Sequence, residues 1–159
     1  MSNSVQFSLA VHTMLVLAYF KDSRITSQMI AERVHCHPVI IRNCFAKLRA
    51  AGLLVTRPGK GKNELSRPAS EITLWDIFYA VEGDQTNTLF KPYPLSREEC
   101  PPAYDAQLLL QHHCQDAVAA VRASLSAVSI QDMIDEMKAQ YPEGLPEKTE
   151  PRGDDESVQ

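Results

Sequence analysis

The segment "TSQMIAERVHCHPVIIRNCFAKLRAAG", residues 26–52, constrains the fold most tightly. Thr26 is a good N-cap, because its hydroxyl can accept a backbone N–H left free at a helix start. It opens a short helix to about Val34, with Met29, Ile30 and Val34 expected to face the core. Pro38 suits the first position of a second helix, where its missing N–H costs nothing. That helix runs to about Ala51 and stops at Gly52, a natural residue after a helix end. Only "HCH" remains between the two, so the chain must turn sharply. Two short helices joined this way form a helix-turn-helix.

In the second helix Ile41, Cys44, Phe45 and Leu48 share one face at spacings of three and four. Val39, Arg42, Asn43, Ala46, Lys47 and Arg49 are left outside. The apolar stripe holds the helix down while Arg42 and Asn43 can reach base edges and Lys47 or Arg49 can reach phosphates. Two short extended segments follow, "LLVT" (53–56) and "NELS" (63–66), separated by "RPGKGK". Pro58, Gly59 and Gly61 punctuate a hairpin whose tip carries Arg57, Lys60 and Lys62, a wing suited to the minor groove. The Walker spacing is absent from this loop, which argues against a nucleotide-phosphate cradle.

Charge supports the same reading. Residues 1–68 carry ten Lys and Arg against three acids, a net +7, while residues 69–159 carry six bases against seventeen acids, a net −11. The basic half suits a polyanion and the acidic half does not. The apolar run "LAVHTMLVLAYF" (9–20) is too short for a membrane span and lacks the flanks of an export signal, so it reads as the first helix of the core, over 5–20. Four cysteines at 36, 44, 100 and 114 contain no C-x-x-C pair, and reduced thiols in a cytoplasm are expected.

Two capping boxes mark later helices, Thr73 with Asp76 and Ser129 with Asp132. Between them a proline-rich loop precedes a long helix from about Ala103 to Val128, about 39 Å at 1.5 Å per residue. Leu110, Cys114, Ala117, Val121, Leu125 and Val128 recur along it at steps of three and four, a seam for a partner copy, or else for the helix's own domain. The acidic, proline-rich end reads as disordered.

Three phrases, "IAERVHCHPVIIRNCFAKLRAAGLL" (30–54), "LSRPASEITLWDIFYAVEG" (65–83) and "VSIQDMIDEM" (128–137), resemble the Rrf-two family of bacterial winged helix-turn-helix transcriptional regulators, of the IscR, NsrR and CymR type. The resemblance covers about residues 4–138. It implies a homodimer on palindromic or near-palindromic DNA, with the long helix crossing to the partner. By position it puts His37, Pro38, Val39 and Arg42 at the start of the recognition helix and the wing at 57–63. The wing departs from the family's usual Gly-Gly pattern, reading "KGKNELSR". Cluster-holding members carry three cysteines about six apart before the long helix. Here Cys100 stands alone, positions 94 and 106 being Pro and Ala, so an iron–sulfur cluster is not expected. The "CPP" at 100–102 is closer to the branch with one cysteine followed by proline.

These observations predict a mainly α chain: a winged helix-turn-helix domain with a small β-hairpin wing (1–82), a loop or sensor region (83–102), a dimerisation helix with a short C-terminal helix (103–140) and a disordered tail (141–159). Double-stranded DNA is the expected partner, touched through Thr26, Ser27, Gln28, His37, Pro38, Val39, Arg42, Asn43, Lys47, Arg49, Arg57, Lys60 and Lys62. A homodimeric regulator, a repressor by preference, is expected to bind a palindromic operator with no membrane attachment. Cys36, Cys100 and Cys114 are candidate thiol sensors, and the effector is open. The alternative class is a metal-binding or metal-responsive protein using the His/Cys groups "HCH" (35–37) or "HHC" (112–114), a degenerate iron–sulfur sensor included, although neither run has a second His/Cys group near it in sequence and tetrahedral sites need three or four. No nucleophile–base pair or carboxylate pair stands out, so an enzyme is not expected, and no cofactor or metal is assigned.

Overall fold

The computed structural model describes residues 3–57, 61–83, 94, 96–98 and 100–143. Helix α1 (Asn3–Tyr19) is followed by α2 (Ser27–Arg33), α3 (Pro38–Ala50), strands β1 (Leu54–Arg57) and β2 (Lys62–Leu65), a single 3₁₀ turn (Ala69–Glu71), then α4 (Leu74–Glu82), α5 (Pro101–Ser126) and α6 (Ile130–Gln140). The expected tip residues Pro58, Gly59 and Lys60, residues 84–93, 95 and 99 of the expected loop and the tail from 144 lie outside the described residues.

Local chemistry sets the ends of these helices. The Thr26 hydroxyl accepts from the Met29 N–H at 3.3 Å. Pro38 occupies the first turn of α3, and His37 before it caps the helix, its Nδ1 accepting from the Val39 N–H. At the other end Gly52 takes φ +72°. Its N–H reaches the Arg49 carbonyl and the Leu53 N–H reaches that of Leu48, both at 2.9 Å. This is a Schellman ending, and Leu53 is buried as the motif's apolar contact. Both capping boxes are present, each with hydroxyl and carboxylate reciprocally bonded to the facing backbone N–H.

Those boxes also meet. Thr73 and Ser129 form an antiparallel bridge, in which the Leu74 N–H donates to Val128 and the Ile130 N–H to Ile72, both at 2.9 Å. The bridge joins the start of α4 to the start of α6, and so fixes the point at which the chain returns from α5. Helix α6 packs back on α1 and the 3₁₀ turn.

The core is one cluster. Met14 and Leu17 of α1 meet Ile30, Ile41, Phe45, Leu48, Leu54, Ile72, Ile77, Ile130 and Ile134, all nearly inaccessible to solvent. Helix α1 is apolar on most sides, and its fully buried stripe is Ala10, Thr13, Met14 and Leu17, a choice its composition does not announce. Met29 corrects an expectation: it is 40% exposed, and α2 buries Ile30 and Ala31 instead. The strands pair antiparallel with Leu54 opposite Leu65 and Arg57 opposite Lys62. Ser66 closes the hairpin onto the end of α3, its N–H bonding the Leu53 carbonyl and its hydroxyl that of Gly52.

Candidate nucleic-acid interface

Helix α3 is held by Ile41, Cys44, Phe45 and Leu48, all buried on one side. Burial pushes the Cys44 thiol up to about 11, against smaller opposing effects from Thr13 and Lys47, and leaves it unreactive. The opposite side presents His37, Val39, Arg42 and Asn43 to solvent around the first two turns. An arginine and an asparagine side by side supply the bidentate donors and acceptors that distinguish guanine and adenine edges, and Val39 can meet a thymine methyl.

Three residues expected to contact phosphate are engaged elsewhere. Lys47 turns inward: its Nζ donates to the Val81 carbonyl and to Gln6 Oε1, both at 2.7 Å. It ties α3 to α1 and α4 and lies near Glu82, whose carboxyl is shifted upward by burial and pulled back by the lysine. Arg49 donates to Asn63 Oδ1 at 3.0 Å, which also accepts from the Thr56 hydroxyl at 3.1 Å. That ties the end of α3 to the wing. Lys62 bonds the Lys21 carbonyl and pairs with Glu64 at 3.2 Å, its side chain only 15% exposed. Arg57 also pairs with Glu64, at 2.5 Å, but remains 69% exposed and can exchange that partner for phosphate.

The remaining expected residues sit around the same surface. Thr26 and Ser27 are half-buried at the start of α2, and Gln28 is exposed and bonded to Glu32 one turn on. Pro38 is half-buried, and Lys60 lies outside the described residues. Two residues escaped the sequence reading. Asn63 bridges helix and wing, and Arg24 stands beside the tip end of the wing, where a Cβ on Gly61 would meet its Nη2 at 3.4 Å. Only the folded hairpin brings either into place.

The three residues of "HCH" do not converge on one point. His35 takes φ +51°, the left-handed conformation that makes the turn, Cys36 packs at the core edge and His37 caps α3. Cys114 is half-buried on α5, while Cys100 is exposed at its N-cap.

A family model described as Rrf2, iron-dependent transcriptional regulator, matches residues 3–136. The chain belongs to the Rrf2 family. It is a DNA-binding transcriptional regulator of winged-helix fold. The YwnA protein of Bacillus subtilis, a candidate HTH-type transcriptional regulator, is 24% identical over 132 residues, 83% of this chain and 96% of that one. Staphylococcus aureus CymR is 27% identical, with a TM-score of 0.56 over 82% of this chain and 95% of that one, and its oxidised form is a further match. An IscR from T. potens shares the fold at 18% identity, with a TM-score of 0.62 over 88% of each chain. These relatives are described as regulators rather than enzymes. Among the described residues, no helix is long and apolar enough to cross a membrane.

The iron in the Rrf2 description calls for a set of donors around one point. The loop before α5 has one thiol, Cys100, with Pro94 and Ala106 at the neighbouring six-residue steps. Cys44 is buried in the core and Cys36 belongs to the turn between α2 and α3. This set does not fit a cluster held by three loop thiolates.

Proposed function

We propose that two copies join through α5 and bind a two-fold symmetric operator as a repressor, with α3 of each copy in the major groove and the wing beside it. His37, Val39, Arg42 and Asn43 read bases, and Arg57, with Lys60 at the tip, holds backbone phosphate. One observation carries the dimer. Helix α5 has 26 residues and buries none of them, while Leu109 is 66% exposed, Leu110 63% and Val121 48%. A helix with that much apolar surface in water is stable when something covers it.

The expected seam divides into two parts. Cys114, Leu125 and Val128 are half-buried, and near the C-terminal end of the helix Arg122 lies 5.5 Å over Trp75 of α4. Leu110, Ala117 and Val121 remain exposed beside them and are the part left for a partner. Val121→Glu puts an unpaired charge on that strip. Sedimentation should then give half the wild-type mass and operator affinity should collapse. An unchanged mass with unchanged binding would remove the dimer.

A second reading, thiol control, has its own support. Cys100 is the exposed cysteine of the four and caps the helix that carries the seam. The oxidised form of the S. aureus relative is consistent with such a role. Oxidant should weaken operator binding by the wild type and leave Cys100→Ser unaffected. Equal loss in both proteins would place the sensitivity elsewhere.

A further inference from the structure

A histidine pair on α5 stands apart from both the seam and the DNA face. His112, His113 and Asp116 are all exposed, and their nearest donor atoms lie within 4.8 Å of one another, the one such set of three among the described residues. His112 Nδ1 is 3.4 Å from Asp116 Oδ2, and the two imidazole centroids are 6.0 Å apart. The spacing explains why these three meet. Residues four apart and three apart lie over one another on a helix, so Asp116 is below both histidines.

We propose that His112, His113 and Asp116 form a binding site for a divalent first-row transition ion of the zinc class. Imidazole and carboxylate are the donors such ions accept, and three protein donors with water in the remaining position is a common open arrangement. Donors about 2.0–2.1 Å from a tetrahedral ion are about 3.4 Å apart, the separation His112 and Asp116 already have. Closing the wider pairs needs only side-chain rotation, because all three are exposed and rooted on a rigid helix. Two imidazoles distinguish the group from an ordinary acidic patch, which offers hard oxygen donors and suits calcium or magnesium. The site owes nothing to the thiols, so it is independent of the cluster that the cysteines do not fit. It is centred about a third of a turn around the helix from Leu110, Ala117 and Val121, with the exposed Leu109 one turn before it, so it stays accessible when the partner is seated on that strip.

The test is calorimetric titration of the full chain, under reducing conditions, with zinc chloride and separately with cobalt chloride. The expected result is one ion per chain. Affinity should fall on the order of tenfold or more in each of His112→Asn, His113→Asn and Asp116→Asn, since even outer partners of metal ligands cost that much. Cys100→Ser and Cys114→Ser should bind as the wild type does. The cobalt form should show ligand-field bands without a thiolate charge-transfer band. Circular dichroism of the three variants should match the wild type, because the side chains removed are exposed. No binding, binding unaffected by the three variants, or a thiolate band abolished by a cysteine variant would each overturn the proposal.

Discussion

Helices α3 and α5 each leave one face bare, and the two faces are bare in opposite chemical senses. The free side of α3 carries His37, Arg42 and Asn43, groups that water solvates well until a ligand replaces it. The free strip of α5 carries Leu110, Ala117 and Val121, which water solvates poorly. Polar exposure suits α3 to binding and release, whereas apolar exposure suits α5 to lasting cover. The proposed assembly and the proposed DNA recognition thereby fall to different helices, joined through α4 and the Thr73–Ser129 bridge.

The largest effect that can break this contrast is ionic. If each subunit neutralises about four phosphates, log K against log salt should have a slope of about −7 for the dimer. Fluorescence anisotropy over a salt series checks this. The α5 association, dominated by apolar burial, should change little over the same range by sedimentation. Equal salt sensitivity of both equilibria would erase the distinction.

Next in size is the contrast within α3 itself. Arg42→Ala should cost about 1–3 kcal/mol of operator affinity and relax preference at one base of each half-site, with thermal stability unchanged. Lys47→Ala should do the reverse. It leaves the Val81 carbonyl without its lysine and removes the cation near Glu82, so it should lower stability by about 1–3 kcal/mol without altering base preference. Melting curves and binding to single-base operator variants separate the two. Base preference lost in Lys47→Ala would return that lysine to the DNA face.

The sequence made the outline of α3 legible and gave no sign of the bonds its lysine makes to Gln6 and Val81. Stripe, proline start and glycine stop are local signals, and all three appear where spacing put them. Lys47 lies on the flank of the stripe, where a long side chain can turn either way, and the carbonyl that decides the matter is 34 residues away. The same holds for Arg49 and Lys62, whose partners Asn63 and Lys21 are brought near only by tertiary folding. Met29 was misplaced because a helix as short as α2 has room for only one buried pair. The α5 seam was legible as periodicity, but its division between own domain and free strip depends on where α4 lies.

The smallest effect concerns acid. Burial, and to a lesser degree Arg33, hold His12 below its ordinary value of 6.5. The unfolded chain then binds more protons than the folded one, so stability should fall as pH drops below about 6.5. Bonds from the Ser129 side chain and backbone lower Asp132, and its contribution is lost at more acid pH, through the folded value. Melting temperature should therefore decline in two stages, and His12→Gln should flatten the first. An unchanged upper stage in that variant would place the titration elsewhere.

The most direct test of two copies presenting two α3 helices is selection of fragments from genomic DNA by the purified protein, followed by sequencing. The recovered fragments should share a two-fold symmetric motif whose half-sites lie about one helical turn, or a multiple, apart. Val121→Glu should lose this enrichment altogether, and Arg42→Ala should keep the symmetry while blurring one position in each half. A single asymmetric half-site, recovered equally by the wild type and Val121→Glu, would contradict the account.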